Sequence, residues 1–227
     1  MVICPKFVFL HMHKSAGTFV NRMLLERIPY AKQIGYHLPY SELPAAYQRL
    51  PVMGTVRNPW AYYVSWFSFQ SQMAQPNLLF NLVSNYGQQG FEQSISNLLT
   101  LSDNSQLRDK LMASLPEQFQ NSGLNLIRSD IEHMQTDTGF YSFLYQRMYK
   151  GANSPTVLPA ENLRDSLRHY LEQTDPFLVA RTTDYLQHAP QANSSKHRPY
   201  REYYSTELSE LVAHQDRALI QKYHYQF

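Results

Sequence analysis

Phe7-Val8-Phe9-Leu10-His11 is apolar up to its last position, with Pro5 before it and a Lys-Ser-Ala-Gly turn close behind. A short unbroken apolar run between turn residues predicts a central strand buried on both faces. Residues 18–28 follow with Phe19, Met23, Leu24 and Ile28 at helical spacing, and Pro29 stops the helix. A second apolar run, Val52-Met53-Gly54-Thr55-Val56-Arg57, ends in Asn58-Pro59. Pro59 suits the first turn of a new helix with Asn58 as its cap, and that helix continues through Tyr63, Trp66 and Phe67. Residues 70–135 are rich in Gln, Asn and Ser, with apolar positions (Leu79, Val83, Tyr86; Ile95, Leu98, Leu99) at helical intervals. They predict short helices joined by polar loops, a helical cap or substrate cover. Val157–Leu158 reads as another strand, 161–173 as a helix, and 188–199 as a polar loop. A last helix over 205–223 places Leu208, Leu211, Val212, Leu219 and Ile220 on one face.

Strand, tight loop and helix, met twice, predict an α/β fold with a central parallel sheet flanked by helices. Ligand chemistry then belongs at the carboxyl ends of the strands. The 227 residues fit one domain, 1–227, with 70–135 as a helical insertion. Apolar residues at 43% and charged residues at 17% supply a core and argue against long disorder. A net charge of +2 gives no global field for a polyanion, so anion binding has to be local, and the basic residues form no long stripe for nucleic acid. Cys4 is the one cysteine, which excludes an intrachain disulfide and a multi-cysteine zinc site. No apolar run reaches the length of a membrane-spanning helix. Residues 2–12 are interrupted by Pro5 and Lys6 and lead to no small-residue cleavage site, so the expected location is the cytoplasm.

The segment His11-Met12-His13-Lys14-Ser15-Ala16-Gly17-Thr18 lies between the first strand and the first helix. A helix start leaves N–H groups unpaired and carries partial positive charge. Lys14 adds a full charge, Gly17 allows close backbone approach and Thr18 offers a hydroxyl. The segment is not a Walker A motif, because its lysine precedes its only glycine. No acidic residue ends a strand in position to hold Mg²⁺, which disfavours metal-dependent nucleotide hydrolysis.

HMHKSAGT resembles the HIPKTAGT loop of sulfotransferases that use 3′-phosphoadenosine 5′-phosphosulfate (PAPS). The likeness implies a P-loop-like three-layer fold, with Lys14, Ser15, Ala16, Gly17 and Thr18 around the 5′-phosphosulfate. It departs at His13, where the family carries proline. Thr55-Val56-Arg57-Asn58-Pro59-Trp60, continuing to Ser65, resembles the family's 3′-phosphate segment. Arg57 has a planar donor fork suited to phosphate, and Ser65 follows about two helical turns later. The basic residue usual in that helix's first turn is missing, since Ala61 and Tyr62 stand there. Residues 193–204 are similar to the family's closing basic loop, a likeness that implies Lys196 and Arg198 as phosphate contacts, with Arg201 a lesser candidate. Glu161-Asn162-Leu163 resembles a family helix start, to which Glu161 contributes through the dipole.

Sulfuryl transfer to a hydroxyl needs a base, donors for the sulfuryl oxygens and stabilisation of the leaving phosphate. His37, twenty residues before Arg57, resembles the catalytic histidine of heparan sulfate 2-O-sulfotransferases, and an imidazole titrates near neutrality. Glu42 is the rival base, His13 a neighbour of the sulfuryl group, and His11 a brace for the loop. The resemblance implies PAPS as co-substrate without a metal, His37 and Lys14 as catalytic residues, and a hydroxyl acceptor. A glycan is favoured; a lipid, a small alcohol or a tyrosyl hydroxyl is also open. A P-loop-like kinase using ATP and a non-catalytic nucleotide-binding module are the alternatives.

Overall fold

The computed structural model describes residues 1–121, 123–190 and 197–227. In chain order the strands are β1 (Val2–Ile3), β2 (Val8–Leu10), β3 (Lys32–Gln33), β4 (Val52–Val56) and β5 (Thr156–Pro159). The helices are α1 (Gly17–Arg27), α2 (Pro59–Ser71), α3 (Leu78–Val83), α4 (Phe91–Leu99), α5 (Ser105–Ser114), α6 (Arg128–Glu132), α7 (Phe140–Tyr149), α8 (Leu163–Thr174), α9 (Pro176–His188), α10 (Thr206–Gln215) and α11 (Arg217–Tyr223). They divide between two compact units. Met1–Arg57 with Arg147–Ser194 forms the first, and Asn58–Gln146 with Ser195–Phe227 the second. The predicted 70–135 helical segment lies inside the second unit.

All five strands belong to the first unit, in the order β3-β1-β2-β4-β5. β2, β4 and β5 pair in parallel, with Leu10 opposite Gly54 and Gly54 opposite Val157. β1 pairs antiparallel with both β2 and β3, so it alone runs against the other four. This corrects the purely parallel expectation, and its cause is local. The segment 2–12 folds back on itself around Pro5-Lys6, with Cys4 N–H donating to Phe7 O at 2.9 Å.

Phe7 and Phe9 join Phe19, Val20, Met23 and Leu24 of α1, Leu167 and Leu171 of α8, and Leu178 and Leu186 of α9 in one buried cluster. Val8 and Leu10 point to the opposite face and are fully buried too, which explains the unbroken apolar run. Gly54 in β4 has its own reason. A Cβ there would lie 2.0 Å from the Tyr149 hydroxyl, which donates to Thr55 O at 3.2 Å.

The second unit is helical, and its entry is as expected: Asn58 Oδ1 accepts from Ala61 N–H at 3.3 Å, and Pro59 opens α2. Asn77 and Asn104 cap α3 and α5 in the same way. The single helix expected over 205–223 is instead two, broken at Asp216. Asp216 is fully buried; its Oδ2 accepts from Tyr63 Oη at 2.6 Å and its Oδ1 from Ser142 N–H at 2.8 Å. Tyr63 Oη in turn accepts from Tyr141 N–H at 3.1 Å. The break lets one carboxyl group serve the start of α7, where backbone donors lack helical partners. Gly139 leaves room for it, since a Cβ would sit 2.5 Å from Asp216 Oδ1.

Among the described residues no helix is long and apolar enough to cross a membrane.

Candidate functional site

β2 and β4 are adjacent and parallel, so the loop after Leu10 and the residue after Val56 leave the sheet at the same edge. Three loop carbonyls are occupied by side-chain donors. His37 Nδ1 stands 2.9 Å from His11 O, Ser15 Oγ donates to His13 O at 3.2 Å, and Arg57 Nη1 donates to Lys14 O at 3.3 Å. Lys14 (φ 53°) and Ala16 (φ 60°) are left-handed, whereas Ser15 and Gly17 are not. The step from left-handed Ala16 into helical Gly17 is the backbone alternation from which anion-binding nests are built. Each left-handed non-glycine residue costs roughly 1–2 kcal/mol, so the loop holds strain at the position where an anion would sit. Ala16 is also the N-cap of α1 and supplies no side-chain hydrogen bond to it.

Gly17 is needed for a reason separate from the loop's curvature. A Cβ there would lie 1.9 Å from His11 Cδ2, inside the imidazole ring. Gly17→Ala is therefore expected to push His11 aside and lower unfolding free energy by about 1–3 kcal/mol. Urea denaturation measures this; an unchanged midpoint would mean the His11 ring moves freely.

Two cations meet at this edge. Burial is the larger influence on Lys14 and the Arg57 guanidinium the smaller; together they lower its ammonium to about 8. Lys14 thus carries its charge at neutral pH and releases it more readily than an exposed lysine.

Three imidazoles pack beside it. The His37 ring lies 4.5 Å from that of His11 and 5.1 Å from that of His13, both edge-on. A carbonyl oxygen only accepts, so His37 Nδ1 carries the proton toward His11 O and Nε2 keeps its lone pair, the tautomer a general base needs. His37 is itself left-handed, at φ 50°. Burial lowers its pKa to about 4, which corrects the near-neutral titration expected of it from sequence; the bond to His11 opposes this, while the chain's amino group, Arg147 and Lys14 add to it. Burial, then His37, likewise holds His11 and His13 well below the usual histidine range.

The unfolded His37 takes a proton near 6.5 and the folded one only near 4, so stability falls as pH drops through that interval. From pH 7 to pH 5 the loss due to His37 is about 2 kcal/mol. His37→Gln should flatten that part of the profile, as read by urea midpoints at the two pH values; an equally steep decline in the variant would contradict the assignment.

The first unit thus brings together His11, His13, Lys14, Ser15, Gly17, His37 and Arg57. Ser15 is fully buried and Thr18 partly so. Glu42 lies exposed in the 3-10 turn Tyr40–Glu42. Ser65 belongs to the second unit, buried on α2. Arg198 belongs there too, exposed, 3.5 Å from Glu202 and with its guanidinium 5.3 Å from the Tyr203 ring centroid. Arg201 donates to Phe227 O at 2.8 Å. Lys196 lies outside the described residues.

Two residues of the site have no counterpart in the sequence reading. Arg147, on the last turns of α7, is near enough to His37 to disfavour its protonation. Tyr36, 44% exposed, has its ring 5.8 Å from His11 and 6.3 Å from His37. Neither stands in a motif; the one signal for Tyr36 is its adjacency to His37.

No group of three His, Cys, Asp or Glu among the described residues is arranged to hold a metal ion. No protein-family model, curated protein or solved structure matches the chain.

Proposed function

We propose that the chain is a PAPS-dependent sulfotransferase, of P-loop-like fold, acting on a hydroxyl acceptor. One observation carries most of the weight: Arg57 is bonded to the Lys14 carbonyl, which couples the two expected phosphate-binding segments at adjacent parallel strand ends, beside an imidazole whose Nε2 lone pair is free of the Nδ1 bond. The residues present suit the nucleotide. A helix start, a nest of N–H groups and two cations favour a phosphate-bearing ligand.

PAPS, when bound, supplies the sulfuryl group and departs as 3′,5′-bisphosphoadenosine. His37 Nε2 takes the proton of the acceptor hydroxyl as that oxygen forms its bond to sulfur. Lys14 donates to the oxygen between sulfur and the 5′-phosphorus, which keeps the electron pair of the breaking S–O bond. The loop N–H groups and the α1 dipole stabilise charge on the departing phosphate. The resemblance adds Ser65, Lys196 and Arg198 as contacts; the geometric support for the reading comes from the first unit alone.

Transfer of ³⁵S from labelled PAPS to a panel of hydroxyl acceptors tests the proposal. His37→Ala should lower kcat by about 10²–10⁴-fold while leaving bisphosphoadenosine affinity within a few-fold. Unchanged turnover in that variant would remove His37 from the base role. Transfer of phosphate from ATP·Mg²⁺ without any from PAPS would replace the proposal with a kinase.

A further inference from the structure

The acceptor side of this site has a feature that the nucleotide chemistry leaves unused. Exposed large apolar residues of the first unit among those described are Leu25, Tyr30, Tyr36 and Phe177. Of these, Tyr36 is the one in ring contact with the histidine cluster, at 59° to His11 and 49° to His37. The cluster supports the ring, and nearly half of the residue's surface remains open to solvent. Its placement is fixed as well. His37, the next residue, is left-handed and anchored through Nδ1 to His11 O, so the backbone carrying Tyr36 cannot drift without breaking that bond.

An aromatic face with a polar tip, held rigidly beside a proton acceptor, recognises flat rings better than open chains. Apolar faces stack on it at little conformational cost, because two torsions set its position. We infer that Tyr36 is the acceptor platform of the site, and that the acceptor is a ring-bearing alcohol stacked on Tyr36 with its hydroxyl directed to His37 Nε2. The inference rests on the sulfotransferase reading and deepens it. A pyranoside and a phenol share the required chemistry, a ring with a stackable face and a hydroxyl at its rim. An open-chain alcohol lacks it.

The test uses the full chain, first saturated with 3′,5′-bisphosphoadenosine and then turning over PAPS. Methyl β-cellobioside, 4-nitrophenol and sorbitol serve as pyranoside, phenol and open-chain probes. Saturation-transfer NMR on the nucleotide-loaded protein should show ring C–H contacts for at least one ring probe. Tyr36→Ala should weaken that binding and raise the same probe's KM about tenfold, and leave KM for PAPS within twofold. Tyr36→Phe and Tyr36→Trp, which keep the stacking face, should restore both. Whichever ring probe responds identifies the source of the ring. Sorbitol bound and sulfated as well as the ring probes, or ring binding indifferent to Tyr36→Ala, overturns the inference while nucleotide binding stands. A wild-type protein that binds no bisphosphoadenosine overturns the underlying reading, and this inference with it.

Discussion

Lys14→Ala is expected to abolish most sulfuryl transfer, lowering kcat by about 10²–10³-fold, the usual effect of deleting one donor to developing charge. Backbone groups cannot replace the side chain. It brings a full positive charge to a loop whose carbonyls at His11, His13 and Lys14 are already bonded to His37, Ser15 and Arg57. Those bonds go to the Lys14 carbonyl and its neighbours, not to its ammonium, so the loop's path should survive the substitution. Urea unfolding of the variant, run alongside, separates lost transfer from lost fold. Burial and Arg57 set the ammonium to about 8, so parental nucleotide affinity should fall as pH rises through that value, and the variant should lack this dependence. Isothermal titration at pH 7 and pH 9 with both proteins checks the sign. Full transfer by the variant would reject the assignment of Lys14.

Asp216→Ala should be the most destabilising single change in the helical unit, with a loss of about 3–5 kcal/mol of unfolding free energy. Removing the carboxyl leaves Tyr63 Oη and Ser142 N–H, both in a fully protein-enclosed setting, without their acceptor. The Tyr141 N–H bond to Tyr63 Oη is disturbed in turn. Burial pushes the Asp216 carboxyl above the usual carboxylate range, while the Tyr63 and Ser142 hydrogen bonds pull it back. Asp216→Asn, which keeps one acceptor oxygen, should recover part of the loss. Urea unfolding of the three proteins gives the comparison; an Ala variant within about 1 kcal/mol of the parent would show that the network carries little stability.

The parts of the fold legible in the sequence are those with a strong local pattern. β2 and β4 appear as apolar runs with turn residues at their ends, and α1 and α2 as helical spacing with Pro29 and Asn58-Pro59 as punctuation. β1 and β3 are not legible, because two residues carry no periodicity, and Lys32–Gln33 is polar and partly exposed. The break at Asp216 depends on partners 74 and 153 positions away in sequence, beyond any local window.

The site divides the same way. Lys14, Arg57 and His37 are legible because they stand in segments of recognisable spacing. The bond that couples Lys14 to Arg57 joins residues 43 apart, and the packing of His11 against Gly17 is a tertiary fact. Arg147 lies 110 positions from His37, so only the folded arrangement brings it there, whereas Tyr36 is adjacent in sequence and the fold adds its ring contacts to His11 and His37.

The most direct measurement is calorimetric titration of the protein with 3′,5′-bisphosphoadenosine in the absence of divalent metal. The proposed site requires saturable one-to-one binding that Lys14→Ala and Arg57→Ala each weaken at least tenfold, and tighter binding than that of ATP with Mg²⁺. Absence of binding, or binding indifferent to both substitutions, would contradict it.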